Sequence, residues 1–177
     1  MTQKKLVNHL PNALTVLNLA LGLSAILLTF RVGCQYPQRI LFLILMGGLC
    51  DFLDGFVARK FNATSAIGKQ LDSFADLVTF GVAPVVFLHC ISSGSLSITI
   101  ASACFLIAGA WRLAKYNTSE FDGYFRGLPI TAAGILLSGL SLVCYYLGIA
   151  CFAVALMVIV LALMMISSFK LKRISAG

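Results

Sequence analysis

Four of the six acidic residues lie within one 26-residue window, with the spacing of a metal site. Asp51 and Asp54 are three positions apart and Asp72 and Asp76 are four apart, so each pair shares one face of a helix. Four carboxylates form an all-oxygen site, which suits Mg²⁺ or Mn²⁺ better than zinc or copper. They are enough to hold two divalent ions, an arrangement used for displacement at phosphorus. The spacing therefore predicts a site for phosphate chemistry.

The neighbouring residues fit a ligand that contains phosphate. Two glycines and an alanine leave room beside the backbone, an arginine offers a planar fork to phosphate oxygens, and two polar residues near the start of the chain offer neutral hydrogen bonds. These residues are Gly55, Gly68, Ala58, Arg59, Asn12 and Thr15.

The composition indicates the setting of this site. Of the 177 residues, 60% are hydrophobic and 11% are charged, and the mean hydropathy is +0.99. A soluble domain carries roughly 25% charged residues, so the numbers exclude a soluble globular enzyme and a disordered chain. We expect an all-α polytopic membrane protein in which residues 1–177 form a single domain. The net charge of +7 is attributed to loops that face anionic headgroups, so no nucleic-acid partner is expected.

Six apolar segments are long enough to predict transmembrane helices, which must satisfy their own backbone hydrogen bonds. They cover approximately residues 11–30, 38–59, 70–91, 95–115, 127–147 and 149–169. If the N-terminus is cytoplasmic, the inner segments hold eleven of the 13 Lys and Arg residues, and the outer loops hold only Arg31 and Arg39. This bias predicts cytoplasmic N- and C-termini, insertion in the cell membrane, and an aspartate cluster that faces the cytoplasm.

The segment with the aspartates resembles the signature of the CDP-alcohol phosphatidyltransferase family. The matching residues are Asp51-x-x-Asp54-Gly55-x-x-Ala58-Arg59, then eight residues, then Gly68-x-x-x-Asp72-x-x-x-Asp76. All eight signature positions match with the expected spacing. The resemblance also implies six transmembrane helices, a polar cavity that opens to the cytoplasm, and a homodimer embedded among membrane lipids.

The resemblance implies roles for these residues. Asp51, Asp54 and Asp72 would hold divalent metal, and Asp76 would be a further ligand and the general base for the acceptor hydroxyl. Three small residues would line the cytidine side, and Arg59 would lie near the diphosphate or guard the cavity. Those small residues are Gly55, Ala58 and Gly68.

Other segments resemble the branch of the family that makes phosphatidylserine. They are Pro11–Gly22, Leu71–Pro84, Arg112–Asn117 and Phe125–Pro129. This resemblance implies transfer of a phosphatidyl group from CDP-diacylglycerol to the hydroxyl of L-serine, with release of CMP. A serine pocket needs a cation for the carboxylate, and we assign that pocket to Arg112, Asn117 and Arg126.

Alternatives remain open within and outside the family. The acceptor could be glycerol 3-phosphate or an inositol phosphate, since both are anionic, and the donor could carry an archaeal-type lipid. An ion transporter based on membrane carboxylates is a distant alternative, because such proteins typically have broken helices or repeated halves. The six cysteines are expected to be small apolar packing residues rather than a zinc site or a set of disulfides.

Overall fold

The computed structural model describes residues 2–61, 65–92, 94–118, 124–148, 150–167 and 170–172, with side chains over 10–61, 65–92, 94–118, 127–148 and 150–167. Helices dominate these ranges. They are α1 Thr2–Val32, α2 Pro37–Lys60, α3 Ala66–Asp76, α4 Ala83–Ile91, α5 Leu96–Thr118, α6 Ile130–Leu147 and α7 Cys151–Ile166. A short 3₁₀ turn, Gly33–Gln35, follows α1.

The helices form six rods, because α3 continues through a π-helical segment, Leu77–Val82, into α4. Five rods are long and apolar enough to cross a membrane, whereas α7 has 16 residues. At 1.5 Å per residue, α7 is about 24 Å long, which is less than the roughly 30 Å of a hydrocarbon core. The six predicted helices are therefore present, and five of them are long enough to span a membrane. The sixth, α7, is shorter than the span predicted over residues 149–169.

Local chemistry fixes the helix ends near the aspartates. The Ser65 hydroxyl accepts a 2.9 Å hydrogen bond from the backbone N–H of Gly68, which caps the start of α3. Gly127 has φ of +73°, a left-handed conformation that favours glycine, so α6 begins at Ile130 and not at 127 as predicted. At the other end of α6, Gly148 closes the helix in the same left-handed region.

The π-helical segment arises at a proline. Pro84 has no N–H to donate to the carbonyl of Phe80, and a wider turn relieves the conflict, as the bond from Ala83 N to Val78 O shows. Gly134 of α6 packs directly against the freed Phe80 carbonyl, where a side chain would collide. This irregular turn begins immediately after Asp76. It therefore determines how α4, the second half of the third rod, packs against the neighbouring helices.

The all-α prediction is confirmed, although two three-residue strands accompany the helices. Tyr124–Arg126 (β1) pairs antiparallel with Lys170–Lys172 (β2), so that Phe125 is opposite Leu171. The pairing joins the segment before α6 to the segment after α7, beyond the ends of both helices. The backbone N–H of Leu128 also donates a 3.0 Å hydrogen bond to Met164 O of α7.

The rods pack around a small apolar core. Helix α1 lies along α2, α5 lies along α7, and α6 contacts both α2 and α4. Large side chains that are fully buried include Phe80, Phe87, Phe105, Ile40 and Ile44. We call the end of the bundle where α2 finishes and α3 starts the aspartate end, and the other end the distal end.

The cysteines correct one expectation. Cys34 and Cys90 form a disulfide with a Cα–Cα separation of 6.1 Å, although both were expected to be unpaired packing residues. Cys34 lies in the 3₁₀ turn after α1, and Cys90 lies in the last turn of α4, so both are at the distal end of the bundle. The other four cysteines are free.

Candidate active site

Three carboxylates from two helices converge. Asp51 of α2 and Asp72 and Asp76 of α3 each place one oxygen so that the three lie within 4.8 Å of one another. Asp72 and Asp76 share a face because they are one helical turn apart, and Asp51 faces them from the antiparallel neighbour. Oxygens at this separation can share a divalent ion, since each metal–oxygen bond is about 2.0–2.6 Å long.

Asp54 lies beside this cluster but is held separately. Its Oδ2 accepts a 2.7 Å hydrogen bond from Thr15 Oγ1 of α1. Asp54 is buried, and it is close enough to Asp51, Asp72 and Asp76 to interact with their charges. The structure therefore places all four predicted aspartates in one region. Asp51, Asp72 and Asp76 can share one ion, and Asp54 is oriented by its hydrogen bond to Thr15 of α1.

Buried carboxylate oxygens without partners mark this site as a place for cations. Among the described residues, Oδ1 of Asp72 and Oδ1 of Asp76 are buried and accept no hydrogen bond. Asp51 Oδ2 accepts a 3.1 Å hydrogen bond from Thr131 Oγ1 at the start of α6. Ionised carboxylates cannot stay buried together without compensation, so the donor set fits divalent cations bound by oxygen.

Residues predicted for the nucleotide side lie on the three helices around the carboxylates. A Cβ on Gly68 would lie 2.8 Å from Asn12 Oδ1, so α1 and α3 approach closely there. The guanidinium of Arg59 folds back over Gly55, with Nη1 at 3.5 Å from the position of a Cβ. Ala58 is half-buried on the same helix.

The predicted acceptor residues have different positions. Arg112 of α5 interacts with the charge of Asp76, and its Nε is buried without a hydrogen-bond partner among the described residues. Asn117 Nδ2 donates a 2.9 Å hydrogen bond to Ser73 Oγ, one residue after Asp72. The side chain of Arg126 lies outside the described residues, and its backbone is in β1.

Several contacting residues were not predicted. Lys69 Nζ donates to the carbonyls of Tyr116 and Asn117 at 3.3 Å, which ties the start of α3 to the end of α5. Thr131 bonds Asp51, and Asn18 lies beside Asp76. Both are polar residues within apolar segments, which is the signal by which the sequence marks them.

Comparison with known proteins identifies the family. The sequence model of the family described as CDP-alcohol phosphatidyltransferase matches residues 8–169, which include the four aspartates and nearly all of the helical bundle. The chain belongs to the CDP-alcohol phosphatidyltransferase family. The chain is thus an enzyme of a membrane-embedded transferase family, and divalent-metal dependence, which is general in that family, agrees with the acidic cluster.

Curated members of the family are similar to the chain over most of its length. A protein from Bacillus subtilis named CDP-diacylglycerol–serine O-phosphatidyltransferase is 39% identical over 140 residues, which cover 76% of each sequence. Proteins of the same name from Methanocaldococcus jannaschii and Saccharomyces cerevisiae are 40% and 35% identical over about 75% of this chain. The alignments cover 61% and 53% of those two longer relatives.

Proposed function

We propose that the chain is a CDP-diacylglycerol–serine O-phosphatidyltransferase. It transfers the phosphatidyl group of CDP-diacylglycerol to the hydroxyl of L-serine and releases CMP. The observation that carries the proposal is the convergence of Asp51, Asp72 and Asp76 within 4.8 Å, in a chain whose relatives bear that name.

The metal ligands are Asp51, Asp54, Asp72 and Asp76, and the ions are Mg²⁺ or Mn²⁺. Two buried oxygens without hydrogen bonds, on Asp72 and Asp76, support this assignment. Two ions bound there would neutralise the diphosphate and stabilise negative charge on the departing CMP.

Asp76 is the catalytic residue in this proposal. It is the deepest of the α3 carboxylates, it is buried, and the cationic Arg112 faces it from α5. The serine hydroxyl oxygen forms a bond to the phosphorus of the phosphatidyl group, and the bond from that phosphorus to the oxygen of CMP breaks. Asp76 takes the hydroxyl proton, while CMP leaves with the electron pair.

The nucleotide side of the site is formed by α1, α2 and the start of α3. Asn12 and Thr15 present polar groups there, and the small residues Gly55, Ala58 and Gly68 leave room for cytidine. The Arg59 guanidinium folds back over Gly55, where it can meet phosphate oxygens. The acyl chains of the donor remain among the membrane lipids, between the helices.

Serine is bound on the α5 side. Its carboxylate requires a cation, and Arg112 is a buried cation whose Nε has no hydrogen-bond partner among the described side chains. Asn117 is fixed beside α3 by its bond to Ser73 and leaves a buried Oδ1 to accept from the ammonium group. Arg126 is assigned to the same pocket from the sequence.

The aspartate end faces the cytoplasm, and both termini lie on that side. Two observations support this orientation: the distribution of Lys and Arg, and the Cys34–Cys90 disulfide at the distal end. Disulfides persist in oxidising compartments, so the distal end belongs outside the cytoplasm. The homodimer implied by the family resemblance stays a prediction.

Acceptor identity is tested with purified chain in lipid nanodiscs, CDP-diacylglycerol and Mn²⁺. L-serine, glycerol 3-phosphate and inositol phosphate are supplied separately, and CMP release and the lipid product are measured. We expect CMP and phosphatidylserine only with L-serine, and no turnover by Asp76→Asn with any acceptor. CMP release with glycerol 3-phosphate or inositol phosphate but not serine would overturn the serine assignment. Divalent-ion uptake by proteoliposomes without nucleotide would instead favour a transporter.

A further inference from the structure

A buried amide lies beside Asp76 and has no role in the proposed mechanism. Asn18 of α1 is fully buried, and its Nδ2 and Oδ1 both lack a hydrogen-bond partner among the described residues. An amide with neither group satisfied costs free energy in an apolar interior, so its retention there requires a partner in some state of the enzyme.

The position of Asn18 is fixed by close backbone contacts. Thr79 Oγ1, in the π-helical segment after Asp76, donates a 3.0 Å hydrogen bond to the backbone carbonyl of Asn18. Gly47 of α2 is also in contact, since a Cβ there would lie 2.9 Å from Asn18 Oδ1. With no side chain at Gly47, the Oδ1 side of the amide rests on α2.

The Nδ2 side of the amide is then directed towards Asp76. Asn18 interacts with the Asp76 carboxylate without completing a hydrogen bond of ordinary geometry. The charged groups that face Asp76 are Asp51 and Asp54 of α2, Asp72 of α3 and Arg112 of α5. Among these neighbours Asn18 is a neutral donor, and it approaches from α1.

We propose that Asn18 is a positioning residue for Asp76: its Nδ2–H donates to one carboxylate oxygen and leaves the other directed at the acceptor hydroxyl. The inference rests on the proposed role of Asp76. With divalent cations held by Asp51, Asp72 and Asp76, this hydrogen bond would be completed in the loaded site. Residues that orient metal-site carboxylates typically contribute 10- to 100-fold to activity or metal affinity.

Kinetic constants separate positioning from binding. We expect Asn18→Leu, which keeps the volume but removes the donor, to lower kcat by about 10- to 100-fold. The KM for serine and the KM for CDP-diacylglycerol should stay within about twofold, and Mn²⁺ affinity measured by electron paramagnetic resonance should fall by no more than about 10-fold, because Asp76 loses one orienting donor but keeps its own oxygens. Asn18→Asp keeps the shape but replaces the donor with an acceptor, so its kcat should fall at least as far.

A matched control measures the effect of losing a buried polar group from α1. Thr29 is buried on the same helix, and its hydroxyl donates a hydrogen bond to the carbonyl of Ala25, one turn earlier. Thr29→Val should keep wild-type kcat. Wild-type kcat in Asn18→Leu or Asn18→Asp, or an equal loss in Thr29→Val, would overturn the inference. A loss of Mn²⁺ affinity well above about 100-fold in Asn18→Leu would also overturn it, because Asn18 would then be a metal ligand itself and not a residue that orients one.

A structure of the wild-type chain with Mn²⁺ and CDP-diacylglycerol tests the same point without any substitution. Asn18 Nδ2 should lie within about 3.2 Å of an Asp76 oxygen. An amide directed at the ion or away from Asp76 would contradict the inference. Failure of the proposed function is distinguishable, because the wild-type chain would then release no CMP with serine, whereas failure of this inference leaves wild-type turnover intact and the Asn18 variants at wild-type kcat.

Discussion

Thr131, the second residue of α6, donates a 3.1 Å hydrogen bond to Asp51 of α2, 80 positions earlier in the sequence. The bond fixes the carboxylate that approaches the α3 aspartates from the opposite side. It also couples α6 to a site otherwise built from α1, α2 and α3, so that the metal site depends on four helices.

This bond should matter for metal affinity. We expect Thr131→Val to raise the Mn²⁺ concentration required for half-maximal activity by about 10-fold, because Asp51 loses its orienting donor. Thr131→Ser keeps the hydroxyl and should remain near the wild-type value. Equal Mn²⁺ requirements for the Val and Ser variants would show that the hydrogen bond does not orient a metal ligand.

The absence of a side chain at Gly68 should be required for tight binding of CDP-diacylglycerol. A Cβ at this position would lie 2.8 Å from Asn12 Oδ1 and 2.9 Å from Ser65 Oγ, so Gly68→Ala must displace both side chains. We expect the KM for CDP-diacylglycerol to rise severalfold while the KM for serine changes little. Gly139→Ala is the matched control, since nothing lies within 4 Å of its Cβ position and alanine favours a helix. A similar rise in both variants would point to a general effect of the extra methyl group.

A substitution at Arg112 should weaken serine binding and leave CDP-diacylglycerol binding unchanged. Lysine keeps the positive charge but lacks the planar fork, so Arg112→Lys should raise the KM for serine by about 10-fold and leave the KM for CDP-diacylglycerol within twofold. Arg39→Lys serves as the control, because Arg39 stacks on the Tyr36 ring at the distal end, 4.5 Å from its centroid. If both KM values rise together in Arg112→Lys, the guanidinium serves the shared phosphate or the packing instead.

The accessibility of the Cys34–Cys90 disulfide should show on which side of the membrane the distal end lies. In sealed right-side-out vesicles, a membrane-impermeant reductant followed by an impermeant maleimide should label Cys34 and Cys90. The variant Cys34→Ser/Cys90→Ser should lose that label and lose about 2–4 kcal/mol of unfolding free energy. Labelling of these cysteines only in inside-out vesicles would place the aspartate end outside the cytoplasm, contrary to the proposed orientation.

The sequence predicted the rods and the aspartates because both depend on local patterns. Apolar runs of about 20 residues define the rods, and the spacing of Asp51, Asp54, Asp72 and Asp76 defines two helix faces. The short loop between α2 and α3 then makes these faces neighbours. The boundaries shifted where one residue governs the backbone, as at Gly127, where a left-handed conformation delays the start of α6.

Contacts between distant segments escaped the prediction. The bond from Thr131 to Asp51 and the Cys34–Cys90 disulfide join residues far apart in sequence, and nothing in their local pattern specifies the partner. Asp54 is held apart from the other three aspartates by its hydrogen bond to Thr15, and that contact depends on how α1 packs against α2. The π-helical segment follows from Pro84, but its position next to Asp76 emerges only in three dimensions.

The most direct test of the central claim is an anomalous-scattering map of the chain with Mn²⁺ and CDP-diacylglycerol. We expect manganese peaks within about 2.5 Å of oxygens from Asp51, Asp72 and Asp76, with the donor diphosphate on the same ions. Manganese bound elsewhere, or a diphosphate that makes no contact with ions at these carboxylates, would contradict it.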